Sequence, residues 1–356
     1  MMCEFKQFPS EILSIILKHD DLDGWGGILR LVCKRWHSIV TSRKIYVINA
    51  YLTITLYKHV IEVYDGKRWY NKNIIENAAK VGSIEMIEWA RSKGLAFNSM
   101  ACSYAAGNGH LECLKYLHEN GCSWDKWACM HAATNGHLKC LMYLHENGCP
   151  WNKWACIYAV DNGQLECLKY LNENGCPWGQ YACRDAAENG HLECLMYLHE
   201  NGCPWNKGAC AGAAMYGHLE CLKYMHENDC PWNEWACAWA AEKGHLECLE
   251  YLHENGCPWD ELVPMRAAGN GHLECLQYLH ENGCPWDKRT CRRAAENGHL
   301  ECLEYLYENN CPWDDRACLW VAENGYLECL KYFHENGCPW DEGGCLKRAS
   351  RSFRLS

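Results

Sequence analysis

The chain has no run of 18 apolar residues that could span a bilayer, and its first residues, MMCEFKQF, do not form a basic-then-apolar leader. Membrane insertion and secretion are therefore not expected. No Asn-x-Ser/Thr site occurs among the abundant asparagines, which points the same way, to the cytoplasm. Basic residues are few: 34 Lys and Arg against 45 Asp and Glu leave a formal net charge of -11. Phosphate binding needs a basic surface, so nucleic acid is not the expected partner. No Gly-rich phosphate loop, nucleophile elbow or pair of catalytic acids stands out, and neither an enzyme nor a cofactor is expected.

Cysteine (29 residues) and tryptophan (18) are abundant instead, and both are periodic. A unit of the form GHLECLKYLHENGCPWDKWACxxAAxN repeats without insertion, its leading glycine falling every 27 residues from Gly82 to Gly325. Ten full units run from Asn71 through Trp340, and a half unit starts at Asp341. A fixed period of this length signals stacked supersecondary units.

Each unit reads as two short helices. Asp or Asn precedes the first in all but one unit, as at Asn98, Asp125 and Asn152, where a side-chain oxygen can accept from the free amides of the first turn; Gly179 is the exception. In the unit starting at Asp125, Cys129, Ala132 and Ala133 form a small apolar face, and Gly136 ends the helix by turning left-handed. Leu138, Cys140, Leu141, Tyr143 and Leu144 give the second helix a broad apolar side, with Lys139, Met142, His145 and Glu146 mostly opposite and expected to be solvated. Gly148 and Pro150 terminate it. Two such short helices cannot bury their faces alone, so neighbouring units must stack.

Three cysteines recur in almost every unit, for example Cys113, Cys122 and Cys129, near His110 and His118, so metal or disulfide arrays have to be weighed. The first unit holds Met86, Leu95 and Ile75 at the cysteine positions, and Pro264 replaces a first-helix cysteine; the histidines become Gln164 and Tyr326, or Asn172 and Tyr307. These sites ask for small apolar groups, not ligands. Equivalent cysteines in adjacent units would be about one helix diameter apart, roughly 10 Å, beyond the roughly 7 Å that a disulfide allows between Cα atoms. Reduced core thiols and no metal are expected. Trp124, Trp151 and their equivalents through Trp340 read as a packing ladder, with ligand stacking as the alternative.

The unit resembles the ankyrin repeat. GHLECLKYLHENG matches that family's second helix and terminal glycine, and WACMHAA stands where the family carries TPLHxAA. The unit is shorter than the usual 33 residues, the loss falling where the family's hairpin projects. The resemblance therefore implies an all-α, short-period ankyrin-like solenoid over residues 71–356, with hairpins reduced to tight turns and binding carried by first-helix side chains.

Residues 1–42 follow a different grammar. Ser10 can cap a helix carrying Ile12, Leu13, Ile16 and Leu17, and Ile28, Leu29, Val32, Cys33 and Trp36 form a second apolar stripe. The pattern Phe8, Pro9, Glu11, Ile12, Leu13, Ile16, then Leu22, then Leu31, Val32, Cys33, Lys34, Arg35 and Trp36 resembles the F-box, with Phe8 for Leu and three glycines (Gly24, Gly26, Gly27) in the central turn as departures. That resemblance implies docking on a Skp-type adaptor through Phe8, Pro9, Ile12, Leu13, Ile16, Val32, Cys33 and Trp36. A helical cap on the solenoid is the plainer reading. Residues 43–70 read as a connector, in which a hairpin and a degenerate repeat helix both fit.

An F-box followed by repeats resembles the substrate receptors of cullin-RING ubiquitin ligases, in which the repeats hold a target and catalysis belongs to recruited partners. Repeats of this Cys-Trp-Pro kind beside an F-box resemble products of large DNA viruses of amoebae, which implies host cytoplasm. The alternative is a non-catalytic scaffold that sequesters a host protein without ubiquitin transfer; on either reading the chain is expected to act as a monomer. A thiol or zinc hydrolase hidden in the repeats ranks third. Positions that vary between copies locate the expected target face. The second first-helix residue reads Trp127, Trp154, Tyr181, Gly208, Trp235, Leu262, Arg289 and Arg316, and the residue four on reads His131, Tyr158, Asp185, Gly212, Trp239, Arg266, Arg293 and Trp320. These rows share one face. It is aromatic at first and gains Arg266, Arg289, Arg292, Arg293 and Arg316 later, a pattern of hot-spot residue types that suits a protein target with an acidic segment.

Overall fold

The computed structural model describes residues 74–337, apart from 206, 314 and 315. The F-box-like module with Phe8, Pro9, Ile12, Leu13, Ile16, Val32, Cys33 and Trp36, the connector and the C-terminal half unit all lie outside the described residues. Within them, twenty α-helices stand in ten pairs from Ile74–Lys80 to Leu327–Glu335, and no strand is present. The fold is the all-α short-period solenoid expected, with turns in place of hairpins.

Side-chain oxygens of Asn98, Asp125, Asn152, Asp260 and Asp287 accept from first-turn amides. In the unit that has Gly179 at this position, the first helix is Ala182–Glu188, seven residues long and without a side-chain cap, where Lys126–Thr134 has nine. Pro264 lies buried in the first turn of Leu262–Gly269, where its missing N–H would have had no helical acceptor.

Ala128, Cys129, Ala132 and Ala133 of one first helix are fully buried, as are Cys140, Leu141 and Leu144 of the helix that follows. Repeated unit by unit, these residues merge into one core running from Ile74 to Phe333. First helices of consecutive units pack closely, whereas second helices of consecutive units touch sparsely. Small Ala and Cys side chains permit the first approach; the Leu and Tyr of the second helices hold those further apart. The solenoid therefore curves, with the first helices on its inner side.

Glycine serves two constraints here. At the end of the second helix the backbone is left-handed, as at Gly148 (φ 79°), with nothing within 4 Å of a would-be Cβ. Asp229 (φ 61°) and Asn310 (φ 59°) therefore substitute there, being the residues that best tolerate that conformation. At the end of the first helix, Gly109 (φ 75°) is also pressed by the next unit: a Cβ would lie 2.7 Å from the Nδ1 of His137. All ten copies of that position, Gly82 to Gly325, are glycine. The histidine does more than fill space, since Nε2 of His110, His191 and His272 lies 3.0, 3.1 and 3.0 Å from the carbonyl oxygens of Lys80, Asp161 and Glu242 in the preceding unit.

The second-helix histidine expected on a solvated face is instead half-buried in a contact between units. The ring of His145 stacks on Trp151 at 3.9 Å, its Nδ1 lies 2.9 Å from the Tyr170 hydroxyl of the next unit, and Trp151 meets Tyr170 edge-on at 6.2 Å. The same triad forms at His199–Trp205–Tyr224, His226–Trp232–Tyr251, His253–Trp259–Tyr278 and His280–Trp286–Tyr305. Asn172 keeps the hydrogen bond, donating to the Tyr197 hydroxyl at 2.9 Å, without the stack. The tryptophan ladder is a packing device, as expected, but its partners were not foreseen.

The 25 described cysteines are buried thiols, and no cluster with the makings of a metal site occurs among the described residues. In six units the first-helix thiol instead meets the turn thiol twenty residues on, a pairing of unlike positions that the spacing of equivalent cysteines does not reveal. The Cys102 Sγ lies 3.9 Å from the Cys122 carbonyl oxygen and also donates to the Cys122 sulfur, which raises the Cys102 thiol and lowers that of Cys122. The turn thiols point back across the unit: Sγ of Cys122, Cys149 and Cys176 lies 3.2, 3.3 and 3.4 Å from the carbonyl oxygens of Asn98, Asp125 and Asn152.

Burial pushes the thiols of Cys167, Cys248, Cys275 and Cys302 up to about 12 from an ordinary 9.0. Below pH 9 both folded and unfolded chains keep these protons; above it the unfolded chain sheds them first, so stability is lost as pH rises from 9 toward 12, by up to about 1.4 kcal/mol per thiol per pH unit. Burial also holds His137, His245 and His299 below the usual histidine value of 6.5. Their contribution is complete above pH 6.5 and declines below it as the unfolded chain takes up protons. Urea midpoints should therefore plateau between about pH 6.5 and 9, and replacing Cys167, Cys248, Cys275 and Cys302 by Ala should flatten the alkaline limb; an unaltered limb would refute the assignment. Separately, Asn172→His completes the missing triad and should stabilise by about 0.5–1.5 kcal/mol, while Tyr170→Phe should cost about 1 kcal/mol. Equal denaturation midpoints for Tyr170→Phe and the unmodified chain would mean that the triads only fill volume.

Candidate protein-binding surface

The inner helices expose one set of side chains repeatedly because their other sides are closed by the core and by neighbouring first helices. Trp127, Trp154, Tyr181 and Trp235, all at the second first-helix position, are 45, 47, 48 and 39 % exposed. They make up half of the large apolar side chains exposed among the described residues, the others being Val81, Tyr216, Tyr326 and Leu327. Amphipathic rings left open in four units on one curved face make a ridge that can bury area against a partner at low entropic cost.

The row four residues on lies beside it. Trp154 sits 6.1 Å from Tyr158, and Trp235 sits 6.2 Å from Trp239. Cations lean on several of these rings: Lys126 over Trp127 at 5.8 Å, Lys153 over Trp154 at 5.7 Å, Arg184 over Tyr181 at 4.6 Å and Arg266 over Trp235 at 5.4 Å. Each holds its ring in place without covering it fully.

The arginines are brought together as the rows require, but they are not bare. Arg289 pairs with Asp287 at 2.8 Å and with Glu261 of the preceding unit at 3.1 Å. Arg292 and Arg293 share Glu296 at 3.4 and 3.1 Å, and Arg266 pairs with Glu242. Arg316 is exposed. An approaching acidic segment would have to exchange with these internal carboxylates rather than meet free cations.

The sequence reading missed those carboxylates. Two of them, Glu242 and Glu296, come from the ninth first-helix position, which reads Thr134, Asp161, Glu188, Met215, Glu242, Gly269, Glu296 and Glu323. The signal was available, because this position varies between copies as much as the two aromatic rows and lies near them on the same side of the helix. Burial raises the carboxyls of Asp161, Asp185 and Glu188, and Asp161 is raised further by Asp185. No helix among the described residues is long and apolar enough to cross a membrane.

Comparison with known proteins accords with this geometry. The family described as "Ankyrin repeats (3 copies)" matches residues 75–154, 102–182, 183–263 and 264–343. No curated protein matches the chain. Among solved structures, the crystal structure of the human ASB11 ankyrin repeat domain is similar at 22 % identity and a TM-score of 0.40, over 44 % of this chain and 84 % of that one. With the family matched across well over half of its length and paired helices repeating throughout the described part, the chain belongs to the ankyrin-repeat family, a fold of protein–protein interaction.

Proposed function

We propose that this chain is the substrate receptor of a Skp/cullin/F-box type ubiquitin ligase, working in the cytoplasm. Its F-box-like module engages a Skp-type adaptor through Phe8, Pro9, Ile12, Leu13, Ile16, Val32, Cys33 and Trp36, and its repeats hold the target. The observation that carries the second half is the exposed ridge of Trp127, Trp154, Tyr181 and Trp235. Aromatic and Arg side chains are the types that dominate interface hot spots, and here they line one inner face. The first half rests on the spacing of Pro9, Leu13, Val32, Cys33 and Trp36.

The chain contributes geometry and no bond-making step. The target lies along Trp127, Trp154, Tyr158, Tyr181, Trp235 and Trp239, with an acidic stretch exchanging onto Arg266, Arg289, Arg292, Arg293 and Arg316. Chemistry then belongs to the enzyme recruited through the adaptor. A sequestering scaffold would use the same face and dispense with the adaptor, so adaptor capture separates the two.

Pro9→Ala with Leu13→Ala should abolish capture of a purified Skp-type adaptor while the helical circular dichroism stays unchanged. Trp154→Ala with Trp235→Ala, or Arg289→Glu with Arg293→Glu, should leave adaptor capture intact and lower recovery of the repeat-bound target tenfold or more. Adaptor capture that survives the first double change sinks the F-box reading. Target recovery that survives both of the others moves the binding face elsewhere.

A further inference from the structure

The first two described units break the repeat at two places that converge on one pair of thiols. Arg91 stands at the position that His118, His145 and His199 occupy later, and Phe97 stands at the tryptophan position. In place of a ring stack, the Arg91 guanidinium packs over Phe97 at 4.3 Å and donates to the Leu95 carbonyl oxygen at 2.9 Å, which sets its charge close enough to act on Cys122 in the next unit's turn. The second departure lies in that turn. Ser123 follows Cys122, whereas proline follows the turn cysteine in every later unit, from Pro150 to Pro339. Proline fixes φ near roughly −65°; serine leaves the backbone beside Cys122 without that clamp.

The Cys122 sulfur accepts from the Cys102 thiol, and it lies 3.2 Å from the Asn98 carbonyl oxygen. The bond from Cys102 lowers the Cys122 thiol, and Arg91 lowers it further, against burial. Cys176 and Cys203 are lowered by the same bond from Cys156 and Cys183, but among the described residues no cation adds to it, and Asp185 opposes it at Cys203. Burial pushes second-helix thiols the other way, Cys113 to about 12 and Cys140 to about 11. A thiolate favoured by a cation, with a second thiol in contact, is the arrangement in which oxidation stops at a disulfide. Access comes from the turn. Cys122 is 2 % exposed, but Gly121 and Ser123 on either side are exposed and the outer side of Gly121 is open, so lifting this one turn uncovers the sulfur.

We propose that Cys102 and Cys122 form an oxidation site that takes a small hydroperoxide and closes to a disulfide, with Cys122 as the attacking sulfur and Cys102 as the resolving one. The Cys122 thiolate attacks one oxygen of hydrogen peroxide and the O–O bond breaks. A sulfenic acid forms on Cys122, and the other oxygen leaves as hydroxide and takes up the proton the thiol released, giving water. The Cys102 sulfur then attacks the Cys122 sulfur, the S–O bond breaks, and the departing hydroxide takes the Cys102 proton as a second water. Two thiols and one peroxide thus give one disulfide and two waters, the sulfurs losing the two electrons that the peroxide oxygens gain. The sulfurs, already in contact, close to about 2.05 Å as the turn without proline moves inward, and the bond ties that turn to the helix Ser99–Gly107. The other five pairs hold the same two thiols behind a proline and without an arginine at the position of Arg91, and they stay reduced longer.

The test exposes the fully reduced full chain to excess hydrogen peroxide near neutral pH, blocks the remaining thiols with iodoacetamide and follows linked peptides by mass spectrometry without reduction. The expected result is a Cys102–Cys122 linkage that forms tenfold or more ahead of Cys129–Cys149 and is reversed by dithiothreitol. Arg91→Gln and Ser123→Pro should each slow it threefold or more; both residues are exposed, so neither change endangers folding. Cys102→Ala should leave Cys122 as a sulfenic acid that dimedone labels. Equal rates at all six pairs, a linkage indifferent to both Arg91→Gln and Ser123→Pro, or Cys122 recovered from the folded chain as a free thiol or a sulfinic acid would each overturn the site. Linkage that appears only in urea would overturn it too, as chemistry of the unfolded chain.

Discussion

Everything in this molecule depends on the close approach of one first helix to the next. A unit of two short helices has no interior of its own, and its small apolar face is worth burying only against a copy of itself. The approach is possible because Ala128, Cys129, Ala132 and Ala133 and their equivalents offer so little bulk. It also places the His137 ring over Gly109, which closes the first-helix glycine to every side chain. Cysteine suits this interface for a plain reason: it fills slightly more volume than alanine while its weak S–H donor can find a carbonyl oxygen in the turn, as Cys102 does at Cys122.

The solenoid was legible in the sequence because its causes are local and repeated. Caps at Asp125 and Asn152, the left-handed Gly136 and the apolar faces of both helices all follow from residue type and spacing, and all recur in the structure. What was not legible depends on contacts across units. His145 lies on the polar side of its own helix by periodicity, yet the neighbouring unit's Tyr170 and the turn's Trp151 enclose it. The pairing of Cys102 with Cys122 was hidden for a similar reason, since equivalent positions were compared and unlike positions twenty residues apart were not.

The inner face shows the same division. Its aromatic rows could be found by asking which positions vary, and Trp127, Trp154, Tyr181 and Trp235 are indeed open to solvent. Its electrostatics could not, because a charge counts only with its neighbours. Arg289 looks free along the sequence and is held from two sides by Asp287 and Glu261. Conversely, Asp161, Asp185 and Glu188 are ordinary surface residues by composition and become a crowded group only when two units are stacked.

The unequal spacing of the two helix rows sets how the arc can bend. First helices are locked together by close-packed small side chains, whereas second helices meet mainly through the tips of His, Trp and Tyr. When the solenoid flexes, the outer row opens or closes like a fan and the inner row keeps its length, as the neutral axis of a bent beam does. The pitch of the rings on the inner face is therefore insensitive to curvature, and a partner that matches it can ride on the protein as its overall shape fluctuates.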